Sequence, residues 1–144
     1  MIIDERTITY INSLENGDSP QLRAIAKEAR DSFVPIIRRE TASFLKTLVE
    51  LKQPMRILEV GTAVGYSALL MAEHMPEDAH ITTIEKYEKR IPIAKENFVR
   101  MGMEDRITLL EGDAMEVLKC LDGRFLADIP KLKKRTRKSI MTTL

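Results

Sequence analysis

At Pro54 the hydrophobic pattern of this 144-residue chain changes period, and no other feature limits its fold so sharply. Downstream, three short apolar runs, Arg56–Val60, His80–Ile84 and Arg106–Leu110, alternate with the helical stretches Tyr66–His74, Lys89–Met101 and Ala114–Leu121. Short apolar runs bounded by proline and glycine read as buried strands. Their alternation with helices predicts right-handed βαβ crossovers and an α/β fold, a doubly wound parallel sheet with helices on both faces. Pro92 is tolerated only in a first helical turn, which puts the start of its helix near Lys89. After Asp122-Gly123 no comparable fourth run follows. Arg124–Pro130 leads straight into a basic stretch, so the sheet is expected to be partial, with its first three strands only.

Upstream of Pro54 the apolar residues recur at helical spacing. Glu5–Leu14 carries Ile8, Ile11 and Leu14 before the breaker run Asn16–Pro20. Ser19 is placed to cap a second helix with Pro20 at its first position, running through Leu22, Ile25, Ala26 and Ala29 to about Arg30. Val34-Pro35 interrupts it. From Ile36 a third helix carries Ile37, Thr41, Phe44, Leu45, Leu48 and Leu51 and should stop before Pro54. The expected organisation is a helical cap over residues 1–53, a partial sheet domain over 54–125, and a disordered basic tail over 126–144.

With 44% hydrophobic and 31% charged residues, the composition suits one soluble globular domain and excludes disordered, fibrous and membrane-spanning classes. A single cysteine, Cys120, excludes an intramolecular disulfide and a Cys-rich zinc site. The mixed charges of Met1–Arg6 lack a signal-peptide layout, and a cytoplasmic protein with no membrane contact is expected. The net charge of +1 conceals an asymmetry: six cations from Lys131 to Lys138 face no acid, so residues 1–130 are net acidic.

Glu59-Val60-Gly61-Thr62-Ala63-Val64-Gly65-Tyr66-Ser67 lies where a strand turns into a helix. Such a turn gathers backbone N–H groups and a positive helix end, and suits an anion or a nucleoside. It is not the G-x-G-x-x-G of dinucleotide enzymes, because Ala63 and Tyr66 occupy two of the glycine positions. A glycine pair alone also fits an ordinary ligand-free turn. The second strand, however, ends in Glu85, 24 residues beyond Gly61, where a ribose would present two hydroxyls. The third ends in Gly112-Asp113, whose carboxylate can accept from an exocyclic amine such as that of adenine. Glycine or an acid at three strand tips on one rim is a far rarer coincidence than any one of them.

These residues resemble the class I S-adenosylmethionine (SAM)-dependent O-methyltransferases of the catechol and caffeoyl-CoA type, and among them the bacterial tRNA 5-hydroxyuridine methyltransferases. The likeness runs from about Arg30 to Phe125. It rests on Val34-Pro35-Ile36, on Ile57 to Ala68 with its E-x-G-x-x-x-G-Y-S string, on Thr83-Ile84-Glu85 and on Glu111-Gly112-Asp113-Ala114. The resemblance implies a Rossmann-like domain in which Glu59, Gly61 and Ala63 border the methionine part of SAM and the Ser67 hydroxyl meets its carboxylate. Glu85 would hold the ribose, Asp113 the adenine amine and Ala114 the purine edge, while the region around Val34 closes over the methyl donor. It further implies a hydroxyl-bearing acceptor, on tRNA or a small aromatic, and a homodimer.

In the family so resembled, a divalent metal (Mg) lowers the acceptor's pKa, held by an Asp of a D-x-x-K segment at the fourth strand tip and by an Asp-Asn pair after the fifth. Here Lys131 stands where that Asp would fall, and Asp128-Ile129-Pro130-Lys131 spells the segment about three residues early with almost no strand before it. The metal ligands are therefore expected to be missing and no residue is assigned to catalysis. The chain reads as truncated or frameshifted after about residue 125, weakly active or inactive, with Ile57–Val60 left as an unpaired, aggregation-prone edge. Two other readings remain, a non-catalytic nucleoside-binding remnant and an RNA-binding module acting through the basic tail. His74 and His80, with no acid in metal spacing, make a poor metal site, His74 suits a helix-dipole partner, and Cys120 is expected in or near the core beside Val117 and Leu121.

Overall fold

The computed structural model describes residues 4–13, 17–124 and 141–143. Three helices precede the sheet: α1 over Glu5–Ser13, α2 over Pro20–Asp31 and α3 over Arg39–Lys52. α2 starts where its cap predicts. The Ser19 hydroxyl accepts from the Leu22 N–H at 3.2 Å, and Pro20 needs no donor at the first position. Leu22, Ile25, Ala26 and Ala29 form its buried stripe. α3 begins three residues later than the pattern suggests, at Arg39 instead of Ile36. Pro35 disfavours helix just before it, and Ile36 and Ile37 pack instead against the core from an irregular segment.

The strands are β1 (Arg56–Val60), β2 (His80–Glu85), β3 (Ile107–Glu111) and β4 (Met141–Thr143), in the order β3-β2-β1-β4 with every pair parallel. α4 (Tyr66–His74) and α5 (Ile91–Arg100) are the crossovers between the first three, and α6 (Ala114–Arg124) follows β3. The three expected strands thus form the expected parallel sheet. The addition is β4. Residues 126–144 were expected to be a disordered tail beside an open β1, yet Met141–Thr143 lies in register with Ile57–Glu59. An unpaired edge is a template for any segment able to extend, and a Met-Thr-Thr run with two β-branched residues is such a segment. Residues 125–140, with Asp128–Lys131 and all six cations of the basic run, lie outside the described residues.

α4 is apolar nearly all round and is the interior helix: Tyr66 and Ala68 through Ala72 are buried, against β2 on one side and α2 and α3 on the other. Ile57, Ile81 and Ile107 close the core from the sheet. His74 at the end of α4 does have an acidic neighbour, Glu50 on α3, with Nδ1 2.8 Å from Oε1. Cys120 is exposed, contrary to expectation, because no described element covers its side of α6. No helix among the described residues is long and apolar enough to cross a membrane.

The turn from β1 into α4 needs two glycines. Gly61 and Gly65 sit at φ +88° and +87°, where a side chain is strained. They differ in surroundings: a Cβ on Gly65 would stand 2.5 Å from the Phe98 ring of α5, whereas one on Gly61 would meet nothing within 4 Å. Gly61→Ala should therefore cost about 1 kcal/mol for backbone strain alone, and Gly65→Ala about 2 to 4 kcal/mol once overpacking is added. Urea denaturation of the two variants checks this, and equal losses would refute the close approach of α5 to the turn.

Candidate functional site

Hydrogen bonds between neighbouring strand tips build the site. Beyond the last β1–β2 pair the Gly61 N–H donates to the Ile84 carbonyl at 2.8 Å, and beyond the last β2–β3 pair the Gly112 N–H donates to the Glu85 carbonyl at 2.9 Å. Gly61, Glu85 and Asp113 therefore stand side by side along one edge of the sheet, as their positions in the sequence imply.

Glu85 is the middle of this row and is 7% exposed. Its Oε2 accepts from the Ala63 N–H at 2.8 Å, and its Oε1 accepts from the Lys86 and Tyr87 N–H groups at 2.9 and 2.8 Å. One carboxylate thus ties the glycine turn to the chain leaving β2. It also holds Ala63 at φ +50°, an uncommon conformation for a residue with a side chain. A second clamp comes from α5, where the buried Asn97 amide donates to the Val64 carbonyl at 2.8 Å. Sequence reasoning missed Asn97. Its signal was a polar residue in register with the apolar stripe of Ala94 and Phe98.

Beneath the turn Glu59 is 1% exposed and accepts from the Ser67 and Thr83 hydroxyls. Burial pushes its pKa above the ordinary carboxylate value, against the opposing hydroxyls of Ser67, Thr83 and Thr62, and the Glu85 charge adds to the rise. The Ser67 proton is committed to Glu59, so in this state the hydroxyl meets an internal carboxylate where the resemblance puts a ligand's. The Thr62 hydroxyl is near enough to steady Glu59 yet forms no hydrogen bond, and it is buried. It lines a cavity of about 60 Å³ with Gly61, Ala63 and Ser67, roofed by Pro35, Ile36 and Ile37. Val34, half-buried, lines the adjoining groove, so the roof over the turn is the three residues after it.

Asp113 at the third tip does structural work that the sequence reading overlooked. Its Oδ1 accepts from the Met115 N–H at 2.9 Å, which makes it the cap of α6, a signal visible as an acid just before a helical run. Its half-exposed Oδ2 is 3.5 Å from Lys86 Nζ and faces the rim, with half-buried Ala114 next to it. The edge as a whole presents carboxylate acceptors at Glu85 and Asp113 and an orphaned hydroxyl at Thr62. That arrangement suits a polar ligand carrying hydroxyl and amine donors. Among the described residues no group of three or more His, Cys, Asp or Glu side chains is placed to hold a metal ion.

The raised pKa of Glu59 has a sign that can be measured. A carboxyl that titrates higher folded than unfolded stabilises the fold while protonated, and this contribution is lost as pH rises from the ordinary 4.5 through the folded value. Glu59→Gln should therefore gain stability relative to the parent as pH rises across that window, by at most about 1.4 kcal/mol per pH unit. Thermal unfolding of both proteins from pH 4 to 8 tests it, and a variant that loses stability relative to the parent as pH rises would contradict it.

Comparison with known proteins identifies the family and the fold. The profile of the O-methyltransferase family matches residues 13–127. Catechol O-methyltransferase of Niastella koreensis is 30% identical over 76% of this chain and 50% of its own length. Among solved structures, an SAH-bound methyltransferase from Podospora anserina is 30% identical with a TM-score of 0.74, covering 85% of this chain and 56% of that one. An O-methyltransferase of tomaymycin synthesis from Streptomyces achromogenes, in complex with SAM, is 28% identical with a TM-score of 0.73 over 85% and 57%. The chain spans about half the length of the curated relatives it matches. With most of its residues inside the family profile, the chain belongs to the O-methyltransferase family.

Proposed function

We propose that this chain is the SAM-binding portion of an O-methyltransferase, with the cofactor lying along the edge formed by Gly61, Glu85 and Asp113. The observation that carries the reading is the pair of inter-tip hydrogen bonds that set these three residues in a row, in a chain of this family. The buried, unpartnered Thr62 hydroxyl at the turn supports a polar ligand there. When bound, SAM supplies an electrophilic methyl group for in-line transfer to a hydroxyl.

The chain's own residues bind and orient. Glu85 takes the ribose hydroxyls, and its existing bonds to Ala63, Lys86 and Tyr87 fix where they sit. Asp113 receives the adenine amine through Oδ2 while Oδ1 keeps capping α6, and Ala114 flanks the purine. Gly61, Ala63 and Glu59 border the methionine part, with Ser67 turning from Glu59 toward its carboxylate. Pro35, Ile36 and Ile37 exclude water from that end. Holding the reactants in line removes part of the entropic barrier to transfer.

The acceptor is proposed to be a hydroxyl on a tRNA base, 5-hydroxyuridine by the sequence likeness, or on a small aromatic. A cytoplasmic location and a homodimer through the N-terminal helices belong to the same proposal. Because Lys131 stands where the family resemblance puts the Asp of its metal segment, this chain by itself is proposed to turn over weakly or not at all.

Calorimetric titration with S-adenosylhomocysteine tests the reading. Asp113→Asn and Glu85→Gln should each weaken binding, Glu85→Gln by about tenfold to a hundredfold, as expected for a lost hydrogen bond to a charged group. Asp113 is half exposed, so its variant keeps the test valid if the Glu85 variant unfolds. Absence of binding by the folded parent, or binding indifferent to both substitutions, would overturn it.

A further inference from the structure

A second concavity adjoins the first. Between the end of α2 and the start of α3 lies an open groove of about 590 Å³ lined by Arg30, Arg38 and Arg39 against one acid, Glu40. Its size is that of a small-molecule site. Arg30 and Arg38 are exposed and neither has an ion-pair partner among the described residues, whereas Arg100 nearby on α5 is bonded to Glu28 at 2.8 Å. Phe33 projects from the same rim. It is 94% exposed, and the bonds from its own N–H to the Arg30 carbonyl and from the Val34 N–H to the Ala29 carbonyl hold the chain there. Leaving a phenylalanine in water forgoes burial free energy without any return to the fold. Pro35, Ile36 and Ile37 line both this groove and the cavity at Gly61–Ser67, so the two concavities share a wall.

We propose that this groove binds the phosphate-bearing part of the acceptor, a nucleotide whose phosphates lie against Arg30 and Arg38 and one of whose rings stacks on Phe33. Arginine forks match phosphate oxygens two at a time, and an exposed aromatic ring accepts any base face. The inference rests on the cofactor site proposed above, since it is the shared roof that makes the bound nucleotide an acceptor. The same chemistry belongs to an RNA strand and to a free nucleotide, and the experiment separates them.

Fluorescence anisotropy with labelled pentauridylate at low salt, with uridine monophosphate as competitor, reads the groove directly. Arg30→Ala with Arg38→Ala should weaken binding about tenfold and flatten the dependence of log K on log salt by about 1.4, about 0.7 for each phosphate released from a single strand. Phe33→Ala should weaken it about fivefold or more and leave that slope unchanged, the signature of lost stacking. All three side chains are exposed, so the variants should fold as the parent does. Competition by the monophosphate at concentrations similar to the oligomer's supports a free nucleotide, and competition by the oligomer alone supports a strand. Failure of both to bind overturns the proposal. So does binding that is lost in Lys131→Ala/Lys133→Ala/Lys134→Ala and kept in the double arginine variant, which assigns it to the basic run. S-adenosylhomocysteine should bind the double arginine variant as it binds the parent. Arginine-dependent oligomer binding by a parent that does not bind S-adenosylhomocysteine would leave the groove's phosphate site standing and remove the cofactor reading.

Discussion

The Glu85 carboxylate is the interaction on which this site depends. Three backbone N–H groups from two separate segments converge on it, and they tie the glycine turn at Ala63 to the chain leaving β2. Backbone donors are good partners for a carboxylate because they are already held by the structures on either side. The sheet does the coarse alignment through the bonds at Gly61 and Gly112, and Glu85 then sets the height of Ala63 above the strand tips. A ligand meeting Glu85 meets a group that is already ordered, so little of its binding free energy is lost in arranging the receptor.

Below that row lies a second acid with the opposite character. Glu59 is sealed under the turn, and its two hydroxyl donors satisfy it without removing the penalty of burying charge. Two carboxylates one strand apart thus differ in role because of their surroundings: Glu85 is held by three backbone donors at the strand tips, and Glu59 organises Ser67 and Thr83 inside the protein. The Thr62 hydroxyl is, with Arg106 Nε, one of two buried side-chain polar atoms without a hydrogen-bond partner among the described residues. Buried polar atoms without partners are costly, and they persist where function requires them.

Much of this was legible in advance because it depends on local chemistry. The Ser19-Pro20 cap, the three strand runs and the alignment of Gly61, Glu85 and Asp113 follow from period, capping and the geometry of parallel sheets. What could not be read required contacts distant in sequence. Asn97 closes on Val64 from 33 residues away, and Glu50 meets His74 across two helices. The start of α3 moved because Ile36 and Ile37 find burial outside a helix, where tertiary packing outweighs local pattern. β4 was invisible for a related reason: three residues are too short a run to read as a strand, and their pairing with β1 reaches across more than 80 residues of sequence. Asp113 was noticed for its charge and missed as a cap.

Amide chemical-shift mapping with S-adenosylhomocysteine on the isotope-labelled chain reads the row of strand tips residue by residue, since the backbone donors around Glu85 report on it individually. The account predicts the largest shifts at Ala63, Lys86, Tyr87 and the Gly112–Met115 amides, with the far ends of the same strands near Arg56 and His80 unmoved. Shifts concentrated at those far ends, or spread along α6 without touching Ala63, would contradict it.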